Sequence, residues 1–123
     1  MNSKPLGFAR RFRLRKRKHF LRTQRRGQRL SAGHLFVFMA PHRSAVSRFG
    51  FTVSKKVGCA VVRNRVRRRI KEIVRTNRHA FPAHHCFVIV ARPEAAQAAF
   101  GGLQSDVLAL AEQAQHKHHR GNS

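Results

Sequence analysis

The chain has 123 residues, 27 Lys and Arg against 4 Asp and Glu, a formal net charge of +23, 41% apolar residues, and 10 Phe with neither Trp nor Tyr. This length and apolar content suit one domain with one modest core, and a charge of this size repels itself, so the fold is matched to a polyanion that neutralises it. The four carboxylates, Glu72, Glu94, Asp106 and Glu112, are scattered and leave the polypeptide without the parts for its own acid/base pair or magnesium site; its longest apolar runs fall far short of the roughly 20 residues that span a bilayer.

The segment Met1–Arg17 is Arg-rich and acid-free, as in an organellar transit peptide, but Leu6, Phe8, Phe12 and Leu14 form no helical stripe. A flexible basic arm is expected over residues 1–12. Good helix formers run from Arg17 to about Gln28, with Phe20 and Leu21 as apolar points and Gly27 as the stop. Leu35–Ala40 is a β-prone run closed by Pro41. In Arg48–Ser54, Phe49, Phe51 and Val53 alternate with Arg48, Gly50, Thr52 and Ser54, which predicts a half-buried strand, hairpin-paired to the one before it.

After a turn at Lys55–Gly58 comes the strongest helical signal. At 100° per residue from Val62, the positions Val62, Ile73, Val66, Ile70 and Val74 fall within about 120° of arc, a stripe that packs on a sheet. Arg63, Arg67 and Lys71 run down one flank, Arg65, Arg68 and Arg69 down the other, with Asn64 between them. Cys86–Ala91 is continuously apolar and suits a strand buried on both faces. Leu103, Val107, Leu110 and Ala114 mark a last amphipathic helix, its start weakened by Gly101 and Gly102 and its end loosened by Gly121–Ser123.

The order reads helix, two or three strands, helix, strand, helix, so the fold class is α+β, a single-domain α/β sandwich. Residues 1–12 are expected to form the arm, 13–116 the basic α/β domain, and 117–123 a disordered tail. Cys59 and Cys86 have no partner spacing and read as reduced thiols in a cytoplasmic setting. Adjacent His84 and His85, and His116, His118 and His119 near the end, lack the spacing of a metal site, so no protein-bound metal is expected.

Of the 27 basic residues, 24 precede position 80, and 20 are Arg, which favours bidentate phosphate contacts. Like charges four apart, as at Arg63 and Arg67, weaken a helix, so the Arg63–Arg69 run is held for a ligand. No zinc finger, helix-turn-helix or basic zipper is visible, while the Phe side chains supply rings for unpaired bases; single-stranded RNA is favoured over duplex DNA. A ribosomal or RNA-chaperone protein remains an alternative, and a DNA-binding protein a third.

The stretch Ser54-Lys-Lys-Val-Gly-Cys-Ala-Val-Val-Arg-Asn-Arg-Val-Arg-Arg-Arg-Ile-Lys71 resembles the signature of the bacterial ribonuclease P protein component, and the likeness extends over most of the chain. It implies the order α-β-β-β-α-β-α, with a four-stranded sheet and a left-handed βαβ crossover. It also implies a non-catalytic subunit: a large catalytic RNA, with bound Mg²⁺, cleaves the 5′ leader from precursor tRNA, and the protein binds both RNAs. By that likeness Phe20, Phe38, Lys56, Arg63, Arg67 and Lys71 face the single-stranded leader, and Asn64, Arg65, Arg68 and Arg69 face the catalytic RNA. No membrane, obligate protein partner or catalytic residue is implied. The aromatic that often follows Phe20 by one helical turn is here Gln24, and Cys59 stands where Asn is common.

Overall fold

The computed structural model describes residues 10–122, with side chains through His118. A turn of 3₁₀-helix at Arg10–Phe12 precedes α1 (Arg17–Arg26). Then come β1 (Gln28–Ala32), β2 (Leu35–Pro41), β3 (Arg48–Thr52), α2 (Ala60–Thr76), β4 (His85–Ala91) and α3 (Phe100–Asn122). The strands make one sheet in the order β1-β2-β4-β3. β1 and β2 form an antiparallel hairpin, β2 runs antiparallel to β4, and β3 lies parallel to β4.

This order corrects the expected β2–β3 hairpin. β4 enters between them because it is the strand with apolar residues at nearly every position, and such a strand is stable only where neighbours and packed layers cover both faces. β3 becomes an edge strand, joined to β4 by the parallel β3–α2–β4 crossover. Ser47 ties the β2–β3 loop to the start of β4: its hydroxyl donates to the Pro82 carbonyl (2.7 Å) and accepts from the His85 N–H (3.0 Å).

Alternation divides the sheet into two faces. Leu35, Val37 and Met39 of β2, Phe87, Ile89 and Ala91 of β4, and Phe49 of β3 point to an inner face covered by α2 and α3. Val66, Ile70, Ile73 and Val74 close it from α2, and Leu103, Val107, Leu110 and Ala114 from α3, all nearly inaccessible to solvent. Both apolar stripes expected from sequence therefore seat on one core. The other, outer face holds Leu14, Cys86 and Val88, with Phe20, Phe38 and Val90 against them.

Three boundaries differ from expectation. Residues 10–12 belong to the folded body: Phe12 is buried in the inner core, with the Arg78 guanidinium carbon 3.5 Å from its ring centroid, and Leu14 is buried on the outer face. Leu6 and Phe8 lie outside the described residues. α1 ends at Arg26, and Gln28 already opens β1, since a Cβ at Gly27 would press on the backbone oxygens of Thr23 and Met39. At the far end, the segment expected as a loose tail from residue 117 continues α3 through Asn122.

Candidate nucleic-acid interface

On the outer face, α1 crosses β2 and β4 and sets Phe20 over β3. Gly50 makes this possible, because a Cβ there would stand 2.5 Å from the Phe20 ring. Phe38 shares this face, and Phe36, two residues along β2, meets it edge-on at 5.7 Å between ring centroids. The Arg29 and Arg92 guanidiniums lie 4.1 and 5.0 Å from the Phe36 centroid, and Arg92 also donates to the Ser31 hydroxyl (3.3 Å). Rings beside guanidiniums give a surface that attracts phosphate and accepts stacked bases.

On the inner layer, burial of its apolar stripe leaves α2 with two basic flanks. Toward β3, Arg63 Nε donates to the Gly58 carbonyl (3.2 Å), Arg67 Nη1 donates to Asn64 Oδ1 (2.9 Å), and Lys71 Nζ stands 5.9 Å from the Phe51 centroid. Burial, then the charges of Arg67 and Arg13, push the Lys71 ammonium below its ordinary pKa. An anion arriving here relieves that repulsion. On the opposite flank, Arg65 Nη2 and Arg69 Nη1 reach the carbonyls of Ala96 (3.4 Å) and Ala98 (3.5 Å), while Arg68 is exposed. Arg65 Nε is buried without a hydrogen-bond partner.

The sequence-derived residues thus gather in three places. Phe20 and Phe38 share the outer face; Arg63, Arg67 and Lys71 follow the β3 side of α2, with exposed Lys56 in the 3₁₀ turn Lys55–Val57 that links the two elements; Arg65 and Arg69 face away. Asn64 lies between the flanks, and its Oδ1 accepts from Arg67. The first two groups lie on opposite faces of the sheet and meet at β3, where Phe20 covers Gly50 and Lys71 approaches Phe51, its neighbour in sequence.

Sequence reasoning missed Arg13 and the Phe36 group. Arg13 bridges to Phe49 on the free edge of β3, a tertiary contact without a local signal. Phe36 was within reach, since it has the same strand parity as Phe38.

Two of the four carboxylates, Glu72 and Asp106, serve the fold. Glu72 accepts two bonds from Arg75 (3.0 and 2.7 Å), which hold its carboxyl below the usual range, and Asp106 accepts from the His34 N–H (2.9 Å) and ring (2.8 Å). Among the described residues no group of three or more His, Cys, Asp or Glu is placed to hold a metal ion. This donor set does not fit a protein-held Mg²⁺.

Cationic surfaces on both sides of one edge strand, without converging carboxylates, fit a polyanion-binding protein of the α+β class. The family model for Ribonuclease P matches residues 8–115. The chain is 42% identical over 104 residues to the ribonuclease P protein component of Roseiflexus castenholzii, covering 84% of this chain and 85% of that protein. Against that of Chloroflexus aurantiacus it is 41% identical, covering 84% and 77%. The RNase P protein of Thermotoga maritima superposes with a TM-score of 0.75 at 28% identity, covering 82% of this chain and 96% of that one. That of Staphylococcus aureus shares the fold, with a TM-score of 0.76. The chain belongs to the ribonuclease P protein family, as the protein component of the ribonucleoprotein endoribonuclease of tRNA 5′ processing.

Proposed function

We propose that this subunit joins two RNAs that repel each other, the catalytic RNA and the 5′ leader of precursor tRNA. Asn64, Arg65, Arg68 and Arg69 contact the catalytic RNA; Phe20, Phe38, Lys56, Arg63, Arg67 and Lys71 hold the leader. The observation that carries this reading is the division of α2 into two flanks, one bordering β3 and its aromatic outer face, the other directed toward Ala96 and Ala98.

The chemistry belongs to the RNA partner and the Mg²⁺ it binds. The protein neutralises phosphate charge between the two strands, which raises affinity for substrate and, through the RNA, for the metal. Stacking on Phe20 and Phe38 adds about 1–3 kcal/mol per base with little sequence preference, which suits a factor serving many precursors in the cytoplasm.

The test is reconstitution. Protein alone leaves precursor tRNA intact, and adding the cognate RNA with Mg²⁺ releases the 5′ leader. Cleavage by the protein alone in EDTA would overturn the reading.

A further inference from the structure

A third cationic surface lies away from both α2 flanks and adjoins the Phe20–Phe38 face, whose Cys86 and neighbouring Ala40 line it in part. Pro41 and His42, where β2 ends, line a continuous open groove. α1 contributes His19, Arg22 and Arg26 to one wall, α3 contributes Lys117 and His118 to the other, and Arg43, His84 and His85 complete it. Among the described residues no carboxylate lines the groove. The His19 and His42 rings stand nearly perpendicular (76°) with centroids 5.6 Å apart.

His42 is held in place. Its N–H donates to the carbonyl of His84 (2.8 Å), a residue kept at φ 65°, an uncommon conformation for a side chain of this size. The Ser44 N–H donates to His42 Nδ1 (3.1 Å). With Nδ1 accepting, the neutral ring carries its proton on Nε2 and offers a fixed donor without needing charge. Arg48, on β3 behind the ring, has a buried Nε with no hydrogen-bond partner.

We infer that this groove binds the phosphodiester backbone of the catalytic RNA, with His42 Nε2–H and the Arg22 and Arg26 guanidiniums as donors and His19 as a group that takes up a proton on binding. An open groove with cationic walls fits an extended polyanion better than an enclosed small ligand. The absence of carboxylates from its lining leaves the charge uncompensated.

The neighbours of His19 explain the proton uptake. Burial, then Arg22, His42, Lys18 and Lys16, hold its imidazole below the ordinary value; burial, then Arg48 and Arg22, do the same to His42. His85, below them, is depressed by burial and by His118 and His84, against the Ala83 carbonyl that raises it. Every charged neighbour facing His19 is a cation. A phosphate is the first counter-charge it meets, so binding lifts its pKa and affinity rises as pH falls.

The inference rests on the RNA-partner reading above, but one of its two tests does not. In the full-length wild-type chain, ring ¹⁵N spectra are followed through a pH titration in chloride and in inorganic phosphate at equal ionic strength. The His19 midpoint should rise by about one unit in phosphate, while the ring shifts of His34, at the other end of β2, stay put. No rise at His19, or an equal response at His34, overturns the site.

The second test uses the cognate catalytic RNA. Wild-type protein should bind it several-fold more tightly at pH 6 than at pH 8, and His19→Gln should flatten that ratio. Arg22→Ala with Arg26→Ala should lower the slope of log K against log salt by about one to two; an unchanged slope and affinity would reject the proposal. If the wild type bound no catalytic RNA at all, the adaptor reading would fail, and the phosphate titration would still decide whether the groove binds phosphate.

Discussion

Phe20 and Gly50 are one device, in which a missing Cβ on β3 lets an aromatic ring from α1 settle on the strand. We expect Gly50→Ala to destabilise the protein by about 1–3 kcal/mol through overpacking, read by urea unfolding. In a Phe20→Ala background the same change should cost much less, because the clashing ring is gone, and the double-mutant cycle measures that coupling. Phe20→Ala alone should raise KM for precursors with a leader and hardly alter binding of mature tRNA; equal losses for both would remove Phe20 from leader contact. His85 supplies a pH test. It is 7% exposed, and burial holds its pKa below the ordinary imidazole value of about 6.5. The folded state therefore favours the neutral ring, so the contribution is complete above about pH 6.5 and is lost as pH falls through the folded value. Tm should drop between pH 7 and pH 5, with a smaller drop in His85→Gln.

At the scale of elements, α2 was the most legible part of the sequence, because a 17-residue helix with β-branched side chains on one side repeats its signal over several turns. Val66, Ile70, Ile73 and Val74 are buried as the wheel requires, and the basic residues divide into two directions. The wheel set Asn64 between the flanks but could not show its bond from Arg67, which is a choice of rotamer. The β3 pairing was misread because alternation reports which face a strand buries and not which strand lies beside it. The clue was in β4: seven residues apolar nearly throughout belong in the middle of a sheet, leaving an edge to the alternating strand. Phe12 and Leu14 were missed for a related reason, since two isolated apolar residues in a basic run have no period to detect. If the two flanks of α2 serve different RNAs, Arg65→Ala with Arg68→Ala should weaken assembly with the catalytic RNA more than leader binding. Arg67→Ala should instead reduce the salt dependence of leader binding by about 0.7 in log–log slope, and identical effects from both would defeat the division.

For the whole molecule, the charge of +23 is spread over surfaces that a single core holds in fixed relation. The aromatic outer face, the β3 border and the α2 flanks rest on the same four strands. The position of β4 has a consequence in time as well as in space. It is the last strand in the chain and an interior strand of the sheet, so during synthesis β1–β2 can pair while β3 and the arginine helix have no strand to dock on. Sheet closure then joins segments far apart in sequence, the kind of step that sets a slow folding rate. Until residue 91 has been made, the nascent chain has its arginines but not the paired surfaces that would direct them, and its ability to discriminate among polyanions begins with that closure.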